Sequence, residues 1–176
     1  MDFKAMNLFL SEENIRRHLE HLRTQKLRLS ILEKSLPELA GKTMEQVVRL
    51  SLKGSFKDEA LSLMWYIRSH ECFFDSFCEN QQRNMLLLKH YSSVEKYIYD
   101  IYTEAKNYNH GFLYIFVDRS GIPRAHYSDY YDGTFVKYSP KLAIDLYEHT
   151  FFSDYGFDRD RFLKNALTHL DVSKLS

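Results

Sequence analysis

Apolar residues recur at helical spacing through most of the first eighty positions of the chain. Residues 11–34 keep this spacing at five positions, Ile15, Leu19, Leu22, Leu29 and Leu32. The pattern predicts one long helix. Ser11 precedes two acidic residues at its start, which is typical of an N-cap.

A second helical pattern follows after a short break. Thr43 and Gln46 have capping-box spacing and predict a small helix that Gly54 ends. Residues 57–78 are strongly apolar and predict another long helix. The N-terminal part is therefore expected to be a helical hairpin with a small helix between its arms.

The pattern changes in the second half of the chain. Ser92 and Glu95 predict a capping box at the start of a helix over residues 93–107. The next elements are three strand candidates and a last helix, at 111–118, 122–128, 141–147 and 158–169. Consecutive strands with helices before and after them predict an α+β fold. We expect an N-terminal helical hairpin domain, residues 1–82, and a C-terminal α/β domain, residues 83–176.

Charge and composition exclude several classes of function. Twenty-four basic residues balance 24 acidic ones, so nothing favours a nucleic-acid partner or a basic membrane patch. No apolar run approaches the roughly 20 residues that span a bilayer. The acidic start lacks the features of a signal peptide. Cys72 and Cys78 lie six apart in a predicted helix and would point in different directions. We therefore expect no disulfide between them and a cytoplasmic location.

Histidine and aspartate side chains occur in strongly aromatic surroundings. In "DLYEHTFFSDY", Asp145 and His149 lie four positions apart among apolar residues. His70 lies in an apolar helix, and His18 and His21 lie three apart in the first helix. Each alone is more often a surface or hydrogen-bonded core residue than a metal ligand. Asp145 and His149 either lie at the edge of an apolar stripe or are buried and paired with a cation.

The same segment resembles a family signature. "DLYEHTFFSDY" is similar to the Asp-x-Trp-Glu-His-x-Tyr-Tyr-x-Asp-Tyr pattern of the iron/manganese superoxide dismutases. Five other stretches resemble this family in the same order, "FKAMNLFLSEENIRRH", "LPELAGKTMEQVV", "SHECFFDSF", "YSSVEKY" and "HGFLYIFVDRSGI". The resemblance covers nearly the whole chain, as in a divergent member of the family. It implies a three-stranded antiparallel sheet in the second domain.

The resemblance also implies a metal site. The four metal ligands of the family fall on residues of the same types here, His18, His70, Asp145 and His149. They imply one iron or manganese ion per chain and the conversion of superoxide to dioxygen and hydrogen peroxide. Three imidazoles and one carboxylate suit iron or manganese, whereas a structural zinc site usually contains cysteines.

The surroundings of the metal differ from the family pattern. A glutamine that binds the metal-bound solvent comes from one of two positions in the family, which here hold Tyr66 and Tyr131. A phenol can also donate a hydrogen bond, but its acidity differs. The gateway tyrosine of the family falls on Lys26. Lys26 either attracts the superoxide anion or is a solvated helix residue.

The resemblance further implies a homodimer through Glu148 and His149. In the family, a tyrosine of one subunit meets a gateway histidine of the other, and these positions hold Phe152 and Leu22. Loss of both partners leaves no unpaired polar group. The tryptophans of the family correspond to aromatic residues here, Tyr147, Phe112 and Tyr114.

Two other functions are compatible with the sequence. The altered surroundings of the metal allow other redox chemistry at the same ligands. Alternatively, the chain is a non-catalytic interaction protein in which the ligands persist only as packing residues.

Overall fold

Three helices form the N-terminal part of the chain. The computed structural model describes residues 3–52, 55–80 and 84–176. The first helices are α1 (Glu12–Ser35), α2 (Met44–Arg49) and α3 (Phe56–Phe74), and short 3-10 helices cover Met6–Leu8 and Pro37–Leu39. The long helices α1 and α3 pack against each other, and α2 packs against α3. This arrangement confirms the predicted helical hairpin. The small helix ends at Arg49 and not at Gly54, which lies outside the described residues.

Two of the predicted helix starts are confirmed by their hydrogen bonds. The Ser11 hydroxyl accepts the Asn14 N–H at 3.2 Å. Thr43 and Gln46 form a complete capping box, in which each side chain accepts the backbone N–H of the other residue. These bonds satisfy N–H groups that have no partner inside the helix.

Helix α3 ends earlier than the apolar pattern predicts. It stops at Phe74, so the prediction of a helix over 57–78 is wrong at its end. After a turn at Asp75 and Ser76, Phe77 pairs with Leu170, and the Cys78 N–H donates to the His169 carbonyl at 2.8 Å. Cys78 therefore lies beyond the helix that holds Cys72, and both thiols are free.

The second half contains five further helices in its described residues. They are α4 (Leu87–His90), α5 (Val94–Ala105), α6 (Thr134–Lys137), α7 (Glu148–Tyr155) and α8 (Arg159–Thr168), with a 3-10 helix at Val172–Leu175. The predicted capping box of Ser92 and Glu95 is wrong. Ser93 is the N-cap of α5, since its extended backbone lets the hydroxyl accept the Lys96 N–H at 3.1 Å.

Three antiparallel strands form the sheet, as expected. They are β1 (Phe112–Val117), β2 (Pro123–Ser128) and β3 (Leu142–Asp145), in the order β2-β1-β3. Strand β1 is central and buried along nearly its whole length. The Asp118 carboxylate accepts the N–H groups of Ser120 and Ile122 in the turn between β1 and β2. The α+β fold class is therefore confirmed.

Strand β3 ends at Asp145, two residues before the predicted limit of 147. The carboxylate atom Oδ1 of Asp145 accepts the Tyr147 N–H at 2.9 Å. This bond turns the chain directly into α7, a helix that the apolar pattern does not predict. Asp145 thus lies at the end of a strand, and His149 lies in the first turn of the next helix.

Helix α3 packs against β3, and α1 packs against α7. These two contacts bring the N-terminal helices against β3 and α7, which follow the β1–β2 strand pair in the chain. None of the helices in the described ranges has the length and apolar character needed to cross a bilayer.

Candidate metal centre

Four elements each direct one donor group to a single point. His18 comes from α1, His70 from α3, Asp145 from β3 and His149 from α7. One ligand atom from each side chain lies within 4.8 Å of the others. The structure thus brings together all four residues that the resemblance singles out as metal ligands.

The Asp145 atom Oδ2 lies at the middle of this group. It is 3.3 Å from Nε2 of His18, and 3.5 Å from Nε2 of both His70 and His149. The Nε2 atoms of His70 and His149 are also 3.5 Å apart. Ligands about 2.1 Å from a first-row metal ion lie roughly 3–4 Å from one another. The spacing therefore fits one such ion.

Burial leaves several of these atoms without partners. The side chains of His18, His70 and Asp145 are fully buried, whereas 37% of the His149 side chain is exposed. Within the described residues, neither ring nitrogen of His18 nor Oδ2 of Asp145 has a hydrogen-bond partner. Unpaired buried polar atoms cost free energy. A cation among them would remove that cost, so the donor set fits a metal ion.

His70 is oriented as a ligand by its own helix. Its Nδ1 lies 2.8 Å from the carbonyl oxygen of Tyr66. A carbonyl only accepts, so Nδ1 carries the proton and the lone pair of Nε2 faces Asp145. Burial lowers the pKa of His70 to about 3, against the attraction of Asp145. The ring is therefore neutral, as a metal ligand must be.

Asp145 supplies the negative charge. Burial alone would raise its pKa, but the imidazoles of His149 and His18 outweigh burial and lower the pKa below the ordinary value. With Oδ1 occupied by the Tyr147 N–H, Oδ2 is the free ligand atom. The cluster thus combines one carboxylate with three imidazoles, a set suited to iron or manganese.

Tyr66 and Tyr131 both line one pocket of about 410 Å³ between α1, α3 and the loop after β2. The Tyr66 ring lies 4.1 Å from the His70 ring, measured between centroids. Neither hydroxyl forms a hydrogen bond with the described residues. Burial, followed by the charge of Asp145, raises the pKa of Tyr66. Tyr66 therefore stays a protonated hydrogen-bond donor beside the cluster.

The other residues predicted around the metal occupy different surroundings. Lys26 Nζ lies 2.7 Å from Oε1 of Glu71, in an exposed ion pair. Lys26 is outside the lining of the pocket that contains Tyr66 and Tyr131. Leu22 is buried in the core, and Phe152 is half exposed.

His21 lies beside the site, although the family resemblance gives it no role. Its ring centroid is 5.4 Å from that of His149 and 5.5 Å from that of Tyr66. It lines the same pocket, and its imidazole makes no hydrogen bond with the described residues. Burial, then the charges of His149 and His18, lowers its pKa. Its spacing of three from His18 is the one signal in the sequence that points to it.

Aromatic rings form the wall around the cluster. The Phe112 ring lies 5.1 Å from the His70 ring, and the Tyr147 ring lies 5.6 Å from the His149 ring. Phe112 and Tyr147 contact each other edge to face. Tyr114 packs behind Phe112, and its hydroxyl is 2.6 Å from the Ser69 hydroxyl. The wall around the cluster therefore keeps rings at all three positions where the resemblance implies tryptophans.

Comparison with protein families identifies the second half of the chain. The model of the iron/manganese superoxide dismutases, C-terminal domain, matches residues 79–176, which is more than half of the chain. The matched part contains the whole sheet, Asp145 and His149. A search of curated proteins found no match.

Proposed function

The chain belongs to the iron/manganese superoxide dismutase family, and on this basis we propose that it converts superoxide to dioxygen and hydrogen peroxide. The observation that supports the proposal most is the convergence of three imidazole nitrogens on the unpaired Oδ2 of Asp145. A buried carboxylate surrounded by three imidazoles suits a metal ion that alternates between two charges.

We assign His18, His70, Asp145 and His149 as the ligands of one iron or manganese ion. Bound there, the ion would supply a one-electron couple for oxidising one superoxide to dioxygen and reducing a second, with two protons, to hydrogen peroxide. The chain keeps the ligands in place, because the Tyr66 carbonyl fixes the His70 ring and the Tyr147 N–H fixes the carboxylate.

Tyr66 and Tyr131 are proposed to replace the family glutamine. Both residues line the pocket beside the cluster, and their hydroxyls have no hydrogen-bond partner among the described residues. They are free to donate hydrogen bonds to solvent or to the peroxide product. Lys26 is proposed to attract superoxide from the protein surface.

A homodimer would complete the site. His149 is the one proposed ligand with a substantially exposed side chain. Glu148 is exposed beside it, and Phe152 and Phe157 make an exposed ring pair, with Phe157 95% exposed. We propose that Glu148 of one subunit accepts a hydrogen bond from His149 of the other.

A cytoplasmic location suits the two free thiols.

The test combines elemental analysis with a superoxide-consumption assay on the purified chain. We expect about one iron or manganese per chain and turnover of superoxide. His149→Ala should lose most of both, whereas His90→Ala, which removes an exposed imidazole of α4, should keep both. A metal-free wild-type protein that consumes no superoxide would refute the proposal.

The two tyrosines also favour a second candidate function, a metal protein with other redox chemistry. Exchange of a glutamine for a phenol changes the group that tunes the potential of the metal. Bound metal at one per chain together with negligible superoxide turnover would favour this candidate.

A further inference from the structure

The pocket beside the cluster is larger than the proposed reaction requires. Its volume is about 410 Å³, and it opens between α1, α3 and the loop after β2. Superoxide has two atoms and would fill a small fraction of this space. Pockets for small organic ligands have volumes of roughly 300–1,000 Å³.

Four aromatic residues contribute to the lining of this pocket, and three of them are tyrosines. Trp65 is buried, Tyr66 and Tyr131 are partly buried, and Tyr130 is exposed. The hydroxyls of Tyr66 and Tyr131 have no partner among the described residues. A tyrosine ring carries a hydroxyl at its tip, so each of these residues offers both an aromatic face and a hydrogen-bonding group. A ligand that both stacks on rings and forms hydrogen bonds would satisfy this wall.

The rim of the pocket offers hydrogen-bond acceptors. Glu59 and Asp129 place two carboxylates at the lining, and Arg28 places one guanidinium. Arg28 donates from Nη1 to the Gln25 side-chain oxygen at 3.3 Å and keeps its charge, and Oδ2 of Asp129 lies 3.1 Å from Nε2 of His110. The carboxylates accept hydrogen bonds from a neutral hydroxyl group.

We propose that this pocket binds an uncharged, hydroxylated aromatic molecule, of which phenol is the simplest representative. The ring of such a ligand packs against the tyrosines, and its hydroxyl bonds to a rim carboxylate or a tyrosine hydroxyl. The Tyr66 ring also contacts His70. The Tyr66 ring therefore separates the bound molecule from His70 of the candidate metal centre. The binding itself requires no metal.

Trp65 provides the test, since it is the single tryptophan of the chain and lines the pocket. Metal-free protein is titrated with phenol, and Trp65 fluorescence is recorded. We expect a saturable change with phenol and none with cyclohexanol, which has the same hydroxyl but no aromatic ring. Tyr131→Ala and Tyr130→Ala should each weaken binding about threefold to tenfold, the value of one ring–ring contact.

Tyr99→Ala is the matched control, because Tyr99 is an exposed tyrosine of α5 outside the pocket lining. Its affinity for phenol should equal that of the wild type. The exposed position of Tyr130 keeps the test decisive if Tyr131→Ala fails to fold. The proposal is overturned by a response that does not saturate, by equal binding of cyclohexanol, or by unchanged affinity in the folded pocket variants. Because the protein is metal-free, this result is independent of dismutase activity.

Discussion

His18 and Asp145 face each other in the core with Nε2 and Oδ2 3.3 Å apart, and both side chains are fully buried. The residues are far apart in the sequence and belong to α1 and β3. Neither atom completes a hydrogen bond within the described part of the chain. A protein seldom buries such a pair without a further partner. The relationship thus supports a cation at this point more strongly than either residue alone.

Metal should stabilise the folded chain through Asp145. With iron or manganese at about 100 times its Kd, the free energy of unfolding should rise by about 2.7 kcal/mol. Asp145→Asn should abolish this gain, since the amide has nearly the same shape but lacks the negative charge. The measurement is calorimetric unfolding with and without added metal.

Asp100→Asn serves as the control for this experiment, because Asp100 is a partly exposed carboxylate of α5 that pairs with Lys96. This variant should gain as much stability from metal as the wild type. A metal-induced gain that persists in Asp145→Asn would contradict the assigned ligand set.

Ser76 is expected to contribute to stability by joining α3 to the sheet. Its buried hydroxyl donates to the Cys72 carbonyl at 2.6 Å and accepts the Ala143 N–H at 2.7 Å. Ser76→Ala leaves the Ala143 N–H without an acceptor and should cost about 1–3 kcal/mol in urea unfolding. Ser35→Ala removes an exposed hydroxyl with the same bond to the carbonyl four residues earlier. It should cost much less, and equal losses would rule out a role for the Ala143 bond.

Elements with a strong period could be predicted from the sequence. Helix α1 follows from the spacing of its apolar residues, and strands β1 and β2 follow from β-forming segments separated by turn residues. Both patterns depend on local chemistry, and the structure confirms the elements that they predict. Helix α7 could not be predicted in this way. It follows directly where the Asp145 side chain accepts the Tyr147 N–H at the end of β3, within a segment whose apolar residues predict a strand as far as residue 147.

The surroundings of the metal depend on packing that the sequence does not encode locally. Positions three and four residues after His18 both neighbour it on the helix surface. Only contact with α3 and α7 determines that His21 faces the pocket while Leu22 is buried. The family resemblance places the two gateway residues at Leu22 and Lys26, and it therefore gives His21 no role.

Asp132 should make the free energy of unfolding depend on pH in the acid range. Burial raises its pKa, but hydrogen bonds from Thr134 and His126 outweigh burial and hold the pKa below the ordinary value. A lowered folded-state pKa stabilises the protein above the unfolded pKa of about 3.9, and the contribution is lost as pH falls through the folded value. Urea unfolding from about pH 6 to about pH 2 should therefore show a steeper acid loss in the wild type than in Asp132→Asn. Parallel curves would contradict this assignment.

Lys26 and Glu71 offer a direct test of attraction between the protein surface and superoxide. Their charged groups are 2.7 Å apart and both are accessible to solvent. If Lys26 attracts the anion, Lys26→Gln should slow superoxide consumption at low ionic strength and Glu71→Gln should accelerate it, because each changes the local charge by one unit in opposite directions. Both effects should shrink as salt approaches about 0.15 M, where exposed charges are screened beyond about 8 Å. Equal rates for the two variants at low salt would assign Lys26 to the solvated surface of α1, with the ion pair to Glu71 as its sole role.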